Sequence, residues 1–261
     1  MALKGRWVVG RIRVTSGGLR RVGFALAIGI SAQASAIAQR SQSLPSDRER
    51  LAVMQHHFTY VTRIHEALIR GDLRLARAEA LELTRMPAPP EVPAVTRPLV
   101  DAIKFSAARV AAAGSVATAA EASVAMLLQC SRCHESVGVR PGPLKVQRPD
   151  VGGLVGHMLD HQRAADALLL GLVIPSSAHW QEGAERLAVA ELRGRDLPPD
   201  RNYTTDILAA ETAVHTLATE AARASTPETR AVTYARLITT CAQCHSLHRQ
   251  IWGPRALVPE R

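Results

Sequence analysis

Aromatic residues and cysteines are scarce in this chain of 261 residues. It contains three each of Trp, Tyr and Phe, and only four cysteines. A helical domain of ~100 residues with an alanine-rich interior and few large side chains buries only a modest apolar area. Sustained β alternation is absent as well, so the sequence predicts an all-α protein. We therefore expect its core to depend on a bound group for part of its volume.

Patterns typical of several function classes are also missing. The sequence shows no acid/base pair, nucleophile constellation or phosphate-binding loop, so we expect that the protein is not an enzyme. No basic stripe is interleaved with aromatics, which argues against a nucleic-acid partner. The formal charge of +9 comes mainly from the N-terminus, because residues 1–38 hold six of the 32 basic residues and none of the 23 acidic ones. Without them the charge is +3.

The first 38 residues have the order of a secretory signal. A basic region at 1–21 without acids precedes an apolar run at 22–30, and Ala36-Ile37-Ala38 resembles a cleavage site. The alternative, a membrane anchor, needs ~20 apolar residues, whereas polar residues interrupt this run at Ser31, Gln33 and Ser35. We expect a signal peptide over 1–38, export to the periplasm and no membrane span after cleavage.

All four cysteines lie in two copies of the pattern C-x-x-C-H. The first motif is Cys130-Ser131-Arg132-Cys133-His134, and the second, 111 positions later, is Cys241-Ala242-Gln243-Cys244-His245. This pattern is the attachment signal for c-type haem, in which two thiols form thioethers and the imidazole binds iron. On a helix, positions i, i+3 and i+4 share a face, so all three groups can reach one macrocycle. We predict two covalent haems held by Cys130, Cys133, Cys241 and Cys244, with His134 and His245 as iron ligands.

Three other interpretations of the cysteines fit the sequence less well. Two C-x-x-C pairs could supply four thiolates to one zinc ion, but this leaves both histidines unexplained. A redox dithiol would favour a β-α-β setting, whereas the sequence on both sides has helical periodicity. Structural disulfides within C-x-x-C pairs would stabilise a long chain poorly.

Helical periodicity and breakers divide the chain into two halves. Pro141-Gly142-Pro143 and Pro149 follow the first motif, so we place a boundary there and predict domains at 39–148 and 149–261. Each half contains four predicted helices and reads as an antiparallel four-helix bundle whose last helix carries the motif. The predicted helices span residues 51–70, 72–86, 99–113, 116–135, 154–171, 177–192, 205–224 and 227–249.

A haem motif on the last helix of a four-helix bundle resembles the class II c-type cytochromes, the cytochrome c′ and cytochrome c-556 group. The segment Met54-Gln55-His56-His57-Phe58, followed by Gly71-Asp72-Leu73, is similar to the first two helices of that family. Arg249, four residues after His245, matches a basic residue common there, whereas Gly138 stands at that position in the first half. The resemblance covers roughly 45–136 and 152–250, as a tandem pair.

The resemblance implies two possible functions, decided by the sixth iron ligand. Cytochrome c′ leaves iron open to nitric oxide or carbon monoxide, and the c-556 type closes it with methionine. An offset of 100 pairs His57 with His157 on the first helix of each half, so we predict these two as sixth ligands. The leading function is then electron transfer with redox partner proteins, and gas binding is the alternative. The rival ligands are Met54 and His56 in the first half and Met158 and His161 in the second.

Overall fold

The computed structural model describes residues 47–88, 93–138, 151–189 and 205–252. The predicted signal peptide and the proline-rich boundary lie outside these residues. Every described element is helical, which confirms the all-α prediction. Eight α-helices and one 3-10 turn, Ala94–Thr96, make up these ranges. The helices are α1 Asp47–Ile69, α2 Leu73–Arg85, α3 Arg97–Ala112, α4 Val116–Val137, α5 Gly153–Val173, α6 Ser177–Val189, α7 Thr205–Arg223 and α8 Pro227–Trp252.

The motif-bearing helices α4 and α8 begin in the same way. Ser115 Oγ accepts a hydrogen bond from the Thr118 amide at 3.2 Å, and Thr118 Oγ1 accepts one from the Ser115 amide at 3.2 Å. Thr226 and Thr229 repeat this reciprocal pair before α8, at 3.1 and 3.2 Å. Such a box satisfies two amides that have no partner within the helix. Each box lies 15 residues before the first cysteine of its motif.

The C-terminal ends of α4 and α8 differ. Gly138 has a φ of 67° and ends α4 in the left-handed conformation, which costs glycine little because it has no Cβ. Helix α8 instead continues past Arg249 to Trp252. The first half therefore ends its motif helix at the position where the second half carries a basic side chain.

Helices of each half pack in chain order, and α4 packs along α8 between the halves. Helix α1 also contacts α8, and α4 contacts α5. The described residues belong to one compact unit, and their buried apolar side chains form a core cluster that includes residues of both halves. The division into two four-helix bundles stays a prediction.

A buried tyrosine joins three helices across the two halves. Tyr234 on α8 is 1% exposed, and its hydroxyl donates to the Ala165 carbonyl on α5 at 2.9 Å. His65 on α1 places Nδ1 at 3.1 Å from the same hydroxyl. Trp180 packs edge-on against the ring at 6.2 Å. This contact needs the side chains of His65 and Tyr234 and the backbone carbonyl of Ala165, so local sequence does not reveal it.

Candidate functional site

The first motif lines a cavity of about 380 Å³ between helices of both halves. Cys130, Cys133 and His134 form one wall on α4. The lining is mainly apolar, with Phe58 from α1 and Ile174 at the end of α5 among its side chains. Cofactor cavities in proteins commonly fall between ~300 and 1,000 Å³, so the space suits a largely apolar group.

His134 has a defined orientation in this cavity. It is 8% exposed, and its Nδ1 lies 2.9 Å from the carbonyl oxygen of Val173, to which it must donate because a carbonyl only accepts. The lone pair is then on Nε2. Burial lowers the pKa of His134, which keeps the imidazole neutral. A neutral ring with one nitrogen fixed by a backbone carbonyl is the usual arrangement of a metal-binding histidine.

His57 lines the same cavity as His134, which agrees with the prediction that both histidines belong to one site. Burial lowers the pKa of His57, and its Nε2 donates to the Pro87 carbonyl at 3.2 Å. Iron binding through Nε2 would replace that hydrogen bond. The rivals differ in position: Met54 lines the cavity, whereas His56 is exposed and packs against Tyr60.

The second motif lines another cavity, of about 500 Å³. Cys241, Cys244 and His245 form its wall on α8. Burial, with the positive charges of His248, Arg249 and Arg70, lowers the pKa of His245 to about 4. Its Nδ1 is buried without a hydrogen-bond partner. A neutral imidazole on the wall of a buried cavity again fits an iron ligand.

The sixth-ligand candidates of the second half are not placed as they are in the first. Met158 and His161 line the second cavity, whereas His157 is not among its lining residues. His157 is 8% exposed, and its Nε2 lies 3.0 Å from Glu211 Oε1. An offset of 100 therefore pairs His57, which lines a cavity, with another histidine, His157, which faces the Glu211 carboxylate instead. His157 as an iron ligand stays a prediction, while the cavity wall favours its rivals.

Each cavity is completed by the other half of the chain. Val173 at the end of α5 lines the first cavity and binds His134, and Arg70 after α1 lines the second. The Arg249 side chain donates to the Arg70 carbonyl, so α8 is also held at the end of the other half's first helix. Gly71 follows with a φ of 69°, and an added Cβ there would lie 3.1 Å from Arg249 Nη2. Sequence reasoning missed that each half contributes residues to the other half's cavity. The residues that contact each other are separated by 39 positions for His134 and Val173 and by 179 positions for Arg70 and Arg249.

The thiols are in environments that oppose the other cysteine chemistries. Burial, and then the neighbouring cysteine of the same motif, raises the pKa of Cys130 and of Cys241 to about 12. A reactive redox dithiol needs a lowered pKa instead. No disulfide joins any of the four cysteines, all of which lie within the described residues. Within the described residues, none of them belongs to a group of three or more ligand atoms close enough to share a metal ion, so the geometry gives no support to a shared four-thiolate zinc site.

Glu211 is the centre of a polar cluster that sequence reasoning did not identify. It is 7% exposed on α7, and three histidines surround its carboxylate: His157, His161 and His215. Burial would raise the pKa of Glu211, but these imidazoles lower it well below the usual range. The signal in the sequence is a pair of i, i+4 spacings, His157 with His161 and Glu211 with His215.

Comparison with protein-family models, curated proteins and solved structures finds no match to this chain. Its function is therefore argued from the two cavities and their side chains. Among the described helices, none is both long and apolar enough to cross a membrane.

Proposed function

We propose that the chain is an exported, periplasmic di-haem c-type cytochrome that works in electron transfer with redox partner proteins. In this proposal each half is a four-helix bundle of the class II type. The first motif attaches one haem through its two thiols and binds its iron through His134. The second motif does the same for the other haem through His245.

One observation carries the proposal: each motif lines its own mainly apolar cavity with two thiols and a neutral histidine. A covalently attached haem supplies reversible one-electron exchange at its iron when bound. The chain's own contribution is to exclude water, to keep His134 and His245 neutral by burial, and to orient His134 through the Val173 carbonyl. None of these roles requires a catalytic residue.

The sixth ligands follow from the cavity walls. At the first iron we assign His57, which lines the cavity with His134. At the second iron we assign Met158, because it lines the cavity with His245 while His157 and His161 both face Glu211, at 3.0 and 3.9 Å. A closed coordination shell favours electron exchange over ligand capture, since no position is open to nitric oxide or carbon monoxide.

Absorption spectra of both oxidation states, with and without carbon monoxide, test this function. We expect two haems per chain that remain attached in acid acetone, low-spin iron at both sites, and a methionine–iron charge-transfer band from one of them. High-spin iron at both sites with uptake of carbon monoxide would transfer support to the gas-binding alternative. Zinc in place of iron, or one haem per chain, would contradict the assignment of the motifs.

Variants of each site separate the two haems. Changing both cysteines of one motif to alanine should remove one haem and leave the other. His57→Ala should make only the first haem high-spin and able to bind carbon monoxide, and Met158→Ala should do so only at the second. His56→Ala is the matched control, because this neighbouring histidine is exposed.

A further inference from the structure

Two helix-spaced pairs of side chains face each other beside the second cavity. His157 and His161 lie one turn apart on α5, and Glu211 and His215 lie one turn apart on α7. Glu211 Oε1 is 3.0 Å from His157 Nε2, 3.1 Å from His215 Nε2 and 3.9 Å from His161 Nε2. Metal sites inside helical bundles are commonly built from side chains on facing helices.

The separations suit a tetrahedral ion. Zinc binds histidine nitrogen and carboxylate oxygen at ~2.0–2.2 Å, which places tetrahedral ligand atoms roughly 3.4 Å apart. The distances from Glu211 Oε1 to the Nε2 atoms of His157 and His161, 3.0 and 3.9 Å, bracket that value. The potential ligand atoms of His157, His161 and Glu211 all lie within 4.8 Å of one another. These three side chains therefore supply three positions of a tetrahedral shell, and water can take the fourth.

His215 holds Glu211 in place beside the two other histidines. Its Nδ1 donates to the Leu187 carbonyl at 2.8 Å, and its Nε2 lies 3.1 Å from Glu211 Oε1. Carboxylates that bind metals are usually hydrogen-bonded by a neighbouring group in this way. His157 is more than nine-tenths buried, and its Nε2 makes no hydrogen bond although Glu211 is 3.0 Å away. A buried nitrogen without a hydrogen bond costs stability unless something binds it.

The geometry points to a further metal centre of this chain, beside the two proposed haem irons: one divalent transition-metal ion, with zinc as the representative, bound by His157, His161 and Glu211. Imidazole nitrogens and a carboxylate oxygen are ligands that zinc accepts, whereas calcium and magnesium prefer oxygen ligands. His161 and Glu211 also line the second cavity, so the ion lies at its wall. The site rests on the proposed function in one respect, because His157 and His161 can bind zinc only if Met158, and neither of them, binds the second iron.

Metal content and zinc affinity of the full, exported protein test this centre. After exposure to a chelator, the protein should take up one zinc ion per chain, measured by elemental analysis beside iron and by titration against a chromophoric chelator. Glu211→Gln preserves size and should weaken zinc binding by at least 100-fold, since the charged ligand is lost. His161→Ala should do the same. Iron content and circular dichroism of each variant show whether it has folded.

His179→Ala is the matched control. This histidine is also helical and lies 4.0 Å from a glutamate, Glu182, but it is on the partly exposed face of α6. Its loss should leave zinc uptake unchanged. Wild-type protein that takes up no zinc, or a folded Glu211→Gln variant with unchanged zinc affinity, would overturn the metal centre. So would a His157→Ala variant that makes the second haem high-spin and keeps its zinc, because His157 would then be the iron ligand.

Discussion

Replacement of Tyr234 by phenylalanine tests whether the two halves depend on one shared core. The change removes one hydroxyl that donates to the Ala165 carbonyl at 2.9 Å and lies 3.1 Å from His65 Nδ1. The Ala165 carbonyl would lose this donor in a region where Tyr234 is 1% and His65 2% exposed, whereas His65 would still face Asp166 at 3.9 Å. An unsatisfied buried polar group costs about 1–3 kcal/mol. For a unit of this size that corresponds to a loss of about 2 to 12 °C in Tm.

Thermal unfolding of Tyr234→Phe, followed by circular dichroism with haem content measured in parallel, gives the answer. Tyr60→Phe is the control, because Tyr60 is half-buried against His56 and Arg63 and its change should alter stability by less than about 0.5 kcal/mol. A Tm for Tyr234→Phe that equals or exceeds that of the control variant would refute the reasoning. Two separate transitions, only one of which shifts, would show that the halves unfold independently.

Three further outcomes are expected. Gly171→Ala should destabilise the protein by about 1–3 kcal/mol, measured by denaturant unfolding, because the added Cβ would lie 2.7 Å from the Trp180 backbone nitrogen. Gly114→Ala is the control and should not destabilise the protein, because no atom lies within 4 Å of its added Cβ. In haem-free protein the His245 pKa of about 4, below the usual 6.5, favours the neutral ring in the folded state. Stability from this group is therefore complete above pH ~6.5 and falls by up to about 3 kcal/mol as the pH drops to ~4, and unchanged unfolding between these values would contradict it. Each half, exported separately, should have a lower Tm than the intact chain, because each cavity then loses the residues that the other half contributes to its wall. Equal Tm values would argue for independent bundles.

The all-α fold and the helix positions could be predicted because their causes are local. Gly138 ends α4 in the left-handed conformation, and Ser115 and Thr226 cap helices through contacts only three positions away. The predicted helix from 116 to 135 agrees with α4 at Val116–Val137 to within two residues at its end. Capping residues, the spacing of apolar residues and helix breakers each act within one or two helical turns. The local sequence is therefore enough to predict their effects.

The grouping of two cysteines and one histidine on one helical face in each motif was also predictable from local spacing. An interval of i, i+3 and i+4 places three side chains on one helical face whatever the helix packs against. The structure accordingly has each motif on the wall of one cavity. The same argument applies within the pair His157 and His161, and within the pair Glu211 and His215.

Only the tertiary structure decided what these helical faces meet. His57 and His157 occupy matching positions in the sequence, yet one lines a cavity and the other faces Glu211. The reason is that the rotation and crossing of packed helices depend on side chains far away in the chain, which no local spacing contains. For the same reason the sequence by itself determined which residues of each motif share a helical face, whereas packing brought Val173 to His134 and Glu211 to three histidines.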